Sequence, residues 1–294
     1  MTRRKFIKGL LGVTLAGLFV SVYGFLIEPM FRLRIRRWQI SPRGWTAGPL
    51  KIAVVTDLHV GEPWLSLKRL EQVVARTNAL GADLIVMLGD LPAGHRFVMK
   101  SVPTDKIAKA LAGLDAPLGV HAVLGNHDWW TDRAAQARGQ GPCAIAAELT
   151  AAGLGVLQNR AIRIERPEGA FWLAGLDDQL AIGIGRGRFR GLDDLPGTLA
   201  QITDDAPAIL LAHEPDIFPQ VPDRISLTLS GHTHGGQVRL FGYSPIVPSA
   251  YGNRFAYGHI REDGRNLVVS GGIGCSILPV RLGVVPEITI IELS

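Results

Sequence analysis

The sequence predicts an α/β domain built on mixed β-sheets and preceded by one apolar N-terminal helix. From residue 51 onward, short apolar runs rich in β-branched residues alternate with segments of helical periodicity, and strand-like runs dominate the last third. The chain has 294 residues, of which 47% are hydrophobic, so it can bury a large core and is not a disordered polypeptide. Only one apolar run approaches the roughly 18 residues that cross a bilayer, which excludes a polytopic membrane protein.

Residues 1–43 are predicted to be a signal or membrane anchor followed by a basic linker. Residues 10–27 carry no charge and would span roughly 27 Å as a helix, enough for a thin hydrocarbon layer. Residues 2–8 (TRRKFIK) resemble a twin-arginine signal, which the export machinery reads through Arg3-Arg4. Because a good small-x-small cleavage site is missing, we expect a retained anchor in a bacterial cytoplasmic membrane, with the body outside the cytoplasm. Two alternatives are an ordinary membrane anchor whose two arginines match the signal by chance, and a monotopic protein that faces the cytoplasm.

The positive charge of the chain belongs to its N-terminal segment. Residues 1–43 hold nine Lys and Arg residues and one acidic residue, which leaves 22 basic and 25 acidic residues in residues 44–294. A nucleic-acid-binding protein normally carries its positive charge on the folded domain itself. We therefore expect no nucleic-acid partner.

Strands and helices alternate in the first half of the body. Residues 51–56 (KIAVVT) form an apolar, β-branched run that predicts a buried strand. Leu70, Val73, Val74 and Leu80 then recur near helical spacing and predict a helix that begins around residue 64. The same reasoning predicts, in order, a strand over 84–88, a helix over 106–114, a strand over 120–124 and a helix over 143–152.

Strands dominate the second half of the body. Residues 161–165 and 171–174 are two short apolar runs separated by Pro167-Glu168-Gly169, which predicts a hairpin. Further strands are predicted over 208–212, 225–229, 267–270 and 288–292. No internal repeat or low-complexity linker divides residues 44–294, so we expect a single domain there.

Residues typical of metal sites follow five of these strands. The strand ends carry D-L-H, G-D, G-N-H-D, H and G-H-T-H, which supply seven candidate ligands: Asp57, His59, Asp90, Asn126, His213, His232 and His234. The carboxyl ends of strands converge in layered α/β proteins. Oxygen and imidazole ligands without thiolates suit Mn²⁺, Fe²⁺ or Zn²⁺. Seven ligands exceed the need of one tetrahedral ion and fit two ions roughly 3.5–4 Å apart.

These five motifs, in this order, resemble the calcineurin-like metallophosphoesterase family over about residues 51–292. The resemblance implies a four-layer sandwich, in which two mixed β-sheets are flanked by helices on both outer faces. It also implies that Asp57, His59 and His234 hold one ion, that Asp90 bridges both ions, and that Asn126, His213 and His232 hold the second. The stretch 231–239 (GHTHGGQVR) is similar to the membrane-associated or exported bacterial subgroup of the family.

The resemblance implies hydrolysis of a phosphodiester or phosphomonoester by a hydroxide that bridges the two ions, with a lipid- or nucleotide-linked substrate among the options. His127 is the candidate general acid or donor to a phosphate oxygen. Asp128 either orients the ring of His127 or serves only as a helix N-cap. Two alternatives remain open: a pyrophosphatase acting on a nucleotide-diphospho-lipid of the envelope, and a non-catalytic metal-binding envelope protein.

Several residues near the motifs admit two interpretations. The aromatic stretch 241–257 is either a loop packed on the core or a rim that shapes substrate access. Asp177-Asp178 is either a structural turn or part of that rim, and His95 faces either the site or solvent. His259 is expected in a solvated loop. Whether Cys143 and Cys275 pair stays open, since two cysteines define no framework.

Overall fold

The computed structural model describes residues 2–294. Helix α1 (Arg3–Val22) begins at Thr2, whose side chain accepts a hydrogen bond from the Lys5 amide, and none of its side chains is buried. It continues through a π-helical turn (Tyr23–Ile27) into the short helix α2 (Glu28–Phe31). The helical stretch Arg3–Phe31 is long and apolar enough to cross a membrane. The prediction of one N-terminal apolar helix is therefore confirmed.

The body contains six further α-helices: α3 (Leu67–Asn78), α4 (Thr104–Leu111), α5 (Asn126–Thr131), α6 (Arg133–Arg138), α7 (Ala144–Ala151) and α8 (Leu195–Leu199). Helix α3 shows why they form where they do. The Ser66 hydroxyl accepts a hydrogen bond from the Arg69 amide at the N-terminus, which satisfies one otherwise unpaired donor. Leu70, Val73 and Val74 then lie on one buried face.

The described residues form sixteen strands: β1 (Arg34–Ile40), β2 (Leu50–Val55), β3 (Gly61–Glu62), β4 (Leu84–Met87), β5 (Lys100–Ser101), β6 (Val120–Ala122), β7 (Gly155–Val156), β8 (Arg160–Ile164), β9 (Phe171–Gly175), β10 (Ile182–Gly183), β11 (Phe189–Arg190), β12 (Ala208–Leu211), β13 (Ile225–Ser230), β14 (Gly258–Glu262), β15 (Arg265–Val269) and β16 (Glu287–Leu293). Each strand and helix predicted from the sequence is present within a few residues of its expected bounds.

Twelve of these strands build two mixed six-stranded sheets, and the other four form the two-stranded sheets β3-β5 and β10-β11. The first has the order β1-β16-β2-β4-β6-β7, in which only the β16–β2 pair is antiparallel. The second has the order β14-β15-β13-β12-β9-β8, in which the inner strands are parallel and the two outer pairs are antiparallel. The mixed sheet system predicted from the sequence is confirmed.

The two sheets stack face to face. Side chains along each strand point alternately to opposite faces, so each strand contributes to the core between the sheets and to a layer outside them. Ile52 and Val54 of β2 join the core between the sheets, whereas Ala53 and Val55 pack with the helices outside the first sheet. Ile209 in β12 likewise faces inward, while Leu210 packs outside the second sheet with α8 and the 3₁₀-helix Pro215–Gln220. The layers are therefore helix, sheet, sheet and helix, as the family resemblance implies.

Two segments differ from the expectations. Arg34–Ile40, expected within a basic linker, is an edge strand that runs parallel to β16 and anchors to it through Arg34 and Glu287, 2.8 Å apart. Its high density of arginines hides the strand alternation in the sequence. His259, expected in a solvated loop, lies in β14 and its Nε2 atom is 3.1 Å from Asn266 Oδ1. Cys143 and Cys275 are both buried and free.

Candidate metal centre

The seven predicted ligand residues come together across one end of both sheets. Asp57 and His59 follow β2, Asp90 follows β4, and Asn126 opens α5 directly after β6. His213 follows β12 in the second sheet, and the His232-Thr233-His234 segment follows β13. Six of the seven side chains are buried, and His232 is partly exposed. The site therefore depends on the stacking of the two sheets, since neither sheet alone supplies the set.

Most of these residues adopt an unusual backbone. Five of the seven have a positive φ angle although none is glycine: Asp57 (52°), His59 (43°), Asp90 (58°), His232 (66°) and His234 (50°). Only a few per cent of non-glycine residues adopt this conformation, and each costs of order 1–3 kcal/mol. The strand ends thus turn sharply and aim successive polar side chains into one place.

The side chains form two groups that share Asp90. In the first group, His59 Nε2 lies 3.0 Å from His234 Nε2, and His234 Nε2 lies 3.4 Å from Asp57 Oδ1. In the second group, His232 Nδ1 lies 3.0 Å from Asn126 Oδ1 and 3.3 Å from His213 Nε2.

Asp90 stands between the two groups. Its Oδ2 atom lies 3.4 Å from His59 Nε2 and 3.3 Å from His213 Nε2. One carboxylate oxygen is thus shared by both halves of the cluster.

The ionisation of the cluster fits divalent cations. Burial holds the pKa values of His59 and His234 well below their usual value, so both imidazoles keep a free lone pair near neutral pH. Burial also raises the pKa of Asp57 to about 7, which means that its carboxylate needs nearby positive charge. Neutral imidazoles that converge on buried carboxylates are a donor set for Zn²⁺, Mn²⁺ or Fe²⁺.

Asp90 shows the same attraction for positive charge. Burial favours its protonated form, but the neighbouring His213 and His127 outweigh burial and hold the pKa of this carboxyl well below its usual range. Burial disfavours the charged form of His213, yet Asp90 raises the pKa of His213 well above the usual histidine value. The centre of the cluster is therefore a place where positive charge is strongly stabilised.

Gly125 allows the two groups to approach each other. A β-carbon built on Gly125 would lie 2.5 Å from Asp90 Oδ1 and 2.7 Å from His213 Cε1. Any side chain here would displace one of these two candidate ligands, which explains the glycine in the G-N-H-D motif.

His127 lies beside the cluster without belonging to either group. Its ring packs edge-on against that of His59, with centroids 4.7 Å apart, and its Nε2 atom is 3.4 Å from Ser276 Oγ. Its backbone amide donates to Asp90 Oδ1 at 2.7 Å. The His127 ring lines a cavity of about 150 Å³ together with Asp90, His232 and His234, so a ligand in the cavity can meet both the cluster and this ring.

Comparison with known proteins identifies the family of this chain. The family model for calcineurin-like phosphoesterases matches residues 50–236. The chain belongs to this family. It is therefore a metal-dependent hydrolase of phosphoric esters, and its fold and its cluster of Asp and His side chains agree with that class.

Three relatives from different organisms are similar to this phosphoesterase. The uncharacterized metallophosphoesterase YkuE of Bacillus subtilis (strain 168) is 30% identical over 100% of this chain and 98% of its own length. The phosphodiesterase YaeI of Escherichia coli (strain K12) is 29% identical over 84% of this chain and 83% of its own length. A transmembrane protein with a metallophosphoesterase domain from Danio rerio is 34% identical over 83% of this chain, which spans only 53% of that relative.

Asp128 does not orient His127 in this phosphoesterase, and that expectation is corrected. Its carboxylate accepts hydrogen bonds from the backbone amides of Asp90 (2.9 Å), Leu91 (2.9 Å) and Gly125 (2.8 Å). Within residues 2–294, none of its hydrogen bonds goes to the His127 ring. Asp128 is the third residue of α5, and its carboxylate reaches back to the amide of Gly125, which is the N-cap residue. This contact is the one that an acidic residue makes in a capping box, but Asp128 is not itself the N-cap of the alternative interpretation. It fixes the backbone that carries Asp90.

Sequence reasoning missed Arg281, which is fully buried. Its Nη2 atom lies 3.1 Å from His234 Nδ1, and Nη1 donates to the Gly271 carbonyl at 2.8 Å. Its positive charge helps to keep the pKa of His234 low. The residue carries no sequence signal, since arginines are rarely buried and Arg281 lies 47 positions from His234.

A buried acidic pair behind His213 was also missed. Asp178 and Glu214 lie beside His213, and one carboxylate oxygen of each has no hydrogen-bond partner within the described chain. Burial and the charge of Glu214 raise the pKa of Asp178 well above its usual value. Asp177 instead accepts from Trp129 Nε1 at 3.0 Å. The Asp178 side chain accepts a hydrogen bond from the Leu180 amide at 2.8 Å, which agrees with the interpretation of Asp177-Asp178 as a structural turn. Neither residue is among the described residues that line the cavity beside the cluster.

The aromatic stretch 241–257 divides into two parts. Phe255 is buried in the core and the Tyr257 hydroxyl donates to Glu287 at 2.8 Å, whereas Phe241 is fully exposed. The cavity beside the metal centre is lined by Ile246 and Pro248 from this stretch. His95 packs against Trp64, with centroids 5.5 Å apart, and does not appear among the described residues that line that cavity.

Proposed function

We propose that the seven clustered residues hold two divalent cations and that the enzyme cleaves a phosphodiester. Asp57, His59 and His234 would hold one ion, and Asn126, His213 and His232 the other. Asp90 would contact both. The observation that carries this assignment is the position of Asp90 Oδ2, which lies 3.4 Å from His59 and 3.3 Å from His213.

Two bound cations would neutralise the phosphate and lower the pKa of the water that attacks phosphorus. The chain's own residues then have separate tasks. Asp90 holds its charge at the centre of the cluster, and Asp128 fixes the loop of Asp90 through three amide hydrogen bonds. His127 presents an imidazole N–H to a phosphate oxygen or to the leaving oxygen, where a donor contributes most as negative charge develops. Trp130 also packs against the His127 ring, with centroids 5.2 Å apart.

The finer assignments concern substrate, metal and location. The relative named as a phosphodiesterase supports a diester, and the cluster accepts Mn²⁺, Fe²⁺ or Zn²⁺. The exposed apolar helix α1 and the relative named as a transmembrane protein support membrane attachment. We place the enzyme at the outer face of a bacterial cytoplasmic membrane, with Arg3-Arg4 as the address for export.

The test uses the full-length chain in detergent, stripped of metal and reloaded with Mn²⁺ or Zn²⁺. We expect hydrolysis of bis(p-nitrophenyl) phosphate to exceed that of p-nitrophenyl phosphate and to require about two metal ions per chain. Asp90→Asn should lower both the metal content and the turnover, the latter by roughly 10²–10⁴-fold, because several kcal/mol of charge stabilisation are lost.

Asp115→Asn is the matched control, since Asp115 is exposed. This variant should retain wild-type metal content and activity. Failure of the wild-type chain to bind metal would contradict the proposal. Two bound ions without turnover of either ester would instead favour a diphosphate substrate or a non-catalytic metal protein.

A further inference from the structure

A second cavity continues directly from the metal centre. It has a volume of about 320 Å³ and shares four lining residues with the cavity beside the cluster: Gly236, Gln237, Ile246 and Ile277. Beyond these, it is lined by Val238, Pro245, Leu278 and Val280. We call this cavity the apolar groove.

The walls of the apolar groove offer almost no polar contact. Among the described residues that line it, only Gln237 has a polar side chain. Both ends of that amide are already used, because Nε2 donates to the Leu278 carbonyl at 2.9 Å and Oε1 accepts from the Ser276 amide at 2.7 Å. A ligand in the groove would therefore meet hydrocarbon.

The groove keeps apolar side chains exposed to water. Ile246 is 77% exposed, Ile277 is 68% exposed and Leu278 is 41% exposed. Ile277 also has a φ angle of +33°, which is strongly unfavourable for a β-branched residue. Strained residues concentrate where ligands are clamped, and Ile277 stands where the groove meets the metal centre.

The far end of the groove lies at the membrane helix. Val280 lies beside Gly24 of the helical stretch, since a β-carbon built on Gly24 would be 3.5 Å from Val280 Cγ2. The Arg281 amide donates to the Gly24 carbonyl at 2.8 Å. Because Arg3–Phe31 is apolar and long enough to cross a membrane, the groove connects the metal centre with the place where hydrocarbon chains would lie.

We propose that the apolar groove binds the hydrocarbon chain of a lipid phosphoester whose phosphate lies at the metal centre. This inference rests on the proposed function and adds the substrate class. A nucleoside is disfavoured, because the groove offers no aromatic ring and no free hydrogen-bonding side chain among its described lining residues.

The inference predicts a preference for long alkyl chains. Each methylene removed from water on binding gains roughly three- to fourfold, so wild-type kcat/KM should be at least about tenfold higher for p-nitrophenyl hexyl phosphate than for p-nitrophenyl methyl phosphate. Leu278→Gln makes the groove wall polar. Ile277→Asn also removes an apolar side chain and suits the positive φ angle, so it is the safer variant for folding. In both variants the hexyl-to-methyl ratio should fall to within about threefold of one.

Phe241→Gln is the matched control. Phe241 is an equally apolar and fully exposed residue that lines neither cavity, so this variant should keep the wild-type ratio. All chains are full-length, in the same detergent, and their metal content verifies that they are folded.

The two esters separate the possible failures. Metal-dependent hydrolysis of both esters with equal kcat/KM would overturn the groove and leave the proposed function intact. An undiminished hexyl preference in Leu278→Gln and Ile277→Asn would also overturn it. Absence of bound metal and of turnover with both esters would overturn the proposed function and this inference together.

Discussion

The core between the two sheets differs in kind from the metal centre at the end of the sheets. The core is apolar and regular, whereas the metal centre is polar and strained. The core consists of side chains such as Ile52, Leu173 and Ile209, all fully buried and apolar on regular strands. The metal centre consists of buried polar groups on strained turns, with five positive φ angles among its seven candidate ligands. The packed sheets therefore stabilise the fold, and part of this stability offsets the cost of burying polar groups on strained turns at the metal centre.

The largest effect should come from His127→Ala. Loss of a donor that acts on the phosphate should lower turnover by roughly 10²–10⁴-fold, because the ring lines the cavity but belongs to neither ligand group. Metal content should remain near the wild-type value, which mass spectrometry of the purified protein can measure. His259→Ala is the control, since that ring lies in β14. Equal loss of metal and turnover would show that His127 acts as a ligand.

A core substitution should show the reverse pattern. Leu173→Ala removes a fully buried side chain between the sheets and should lower the free energy of unfolding by about 2–5 kcal/mol. Metal content and kcat of the folded enzyme should stay close to wild type at low temperature. Denaturant unfolding measures the first and steady-state assays the second. A collapse of kcat without loss of stability would break the distinction between the two regions.

The smallest effect concerns the metal-free chain. Burial raises the pKa of Asp57 to about 7, above its usual value of 3.8, so the folded state binds a proton that the unfolded state releases between these values. The contribution of Asp57 to the free energy of unfolding should therefore fall as pH rises from about 4 to 7 and level off above 7. Asp57→Asn removes this loss and tolerates the positive φ angle.

Thermal unfolding after metal removal measures the difference. At pH 8 the Asp57→Asn variant should be more stable than the wild type by on the order of 1 kcal/mol, and the difference should shrink toward pH 4. A less stable variant at pH 8 would show that the ligands do not destabilise the fold.

The strands and the candidate ligands could be predicted from the sequence because each depends on a short local pattern. Strands such as Leu50–Val55 and Ile225–Ser230 are short apolar runs, and each ends in residues such as Asp57 or His232 whose chemistry is visible in the sequence. Because parallel strands place their ends at one edge, the convergence of these residues followed from the order of the elements.

The parts that could not be predicted depend on distant contacts. Asp128 has the residue type of an orienting carboxylate, yet its oxygens accept hydrogen bonds from three backbone amides instead of from the His127 ring. The burial of Arg281 depends on carbonyl groups and His234, which no local pattern reveals. The edge strand Arg34–Ile40 pairs with Glu287–Leu293, roughly 250 positions away, and its arginines resemble a membrane-flanking linker.

Anomalous X-ray scattering from crystals of the Mn²⁺-loaded full-length chain would test directly the arrangement of two cations on either side of Asp90. We expect two peaks roughly 3.5–4 Å apart. One should contact Asp57, His59 and His234, the other should contact Asn126, His213 and His232, and Asp90 should contact both. A single peak, or peaks that do not contact Asp90, would contradict this arrangement.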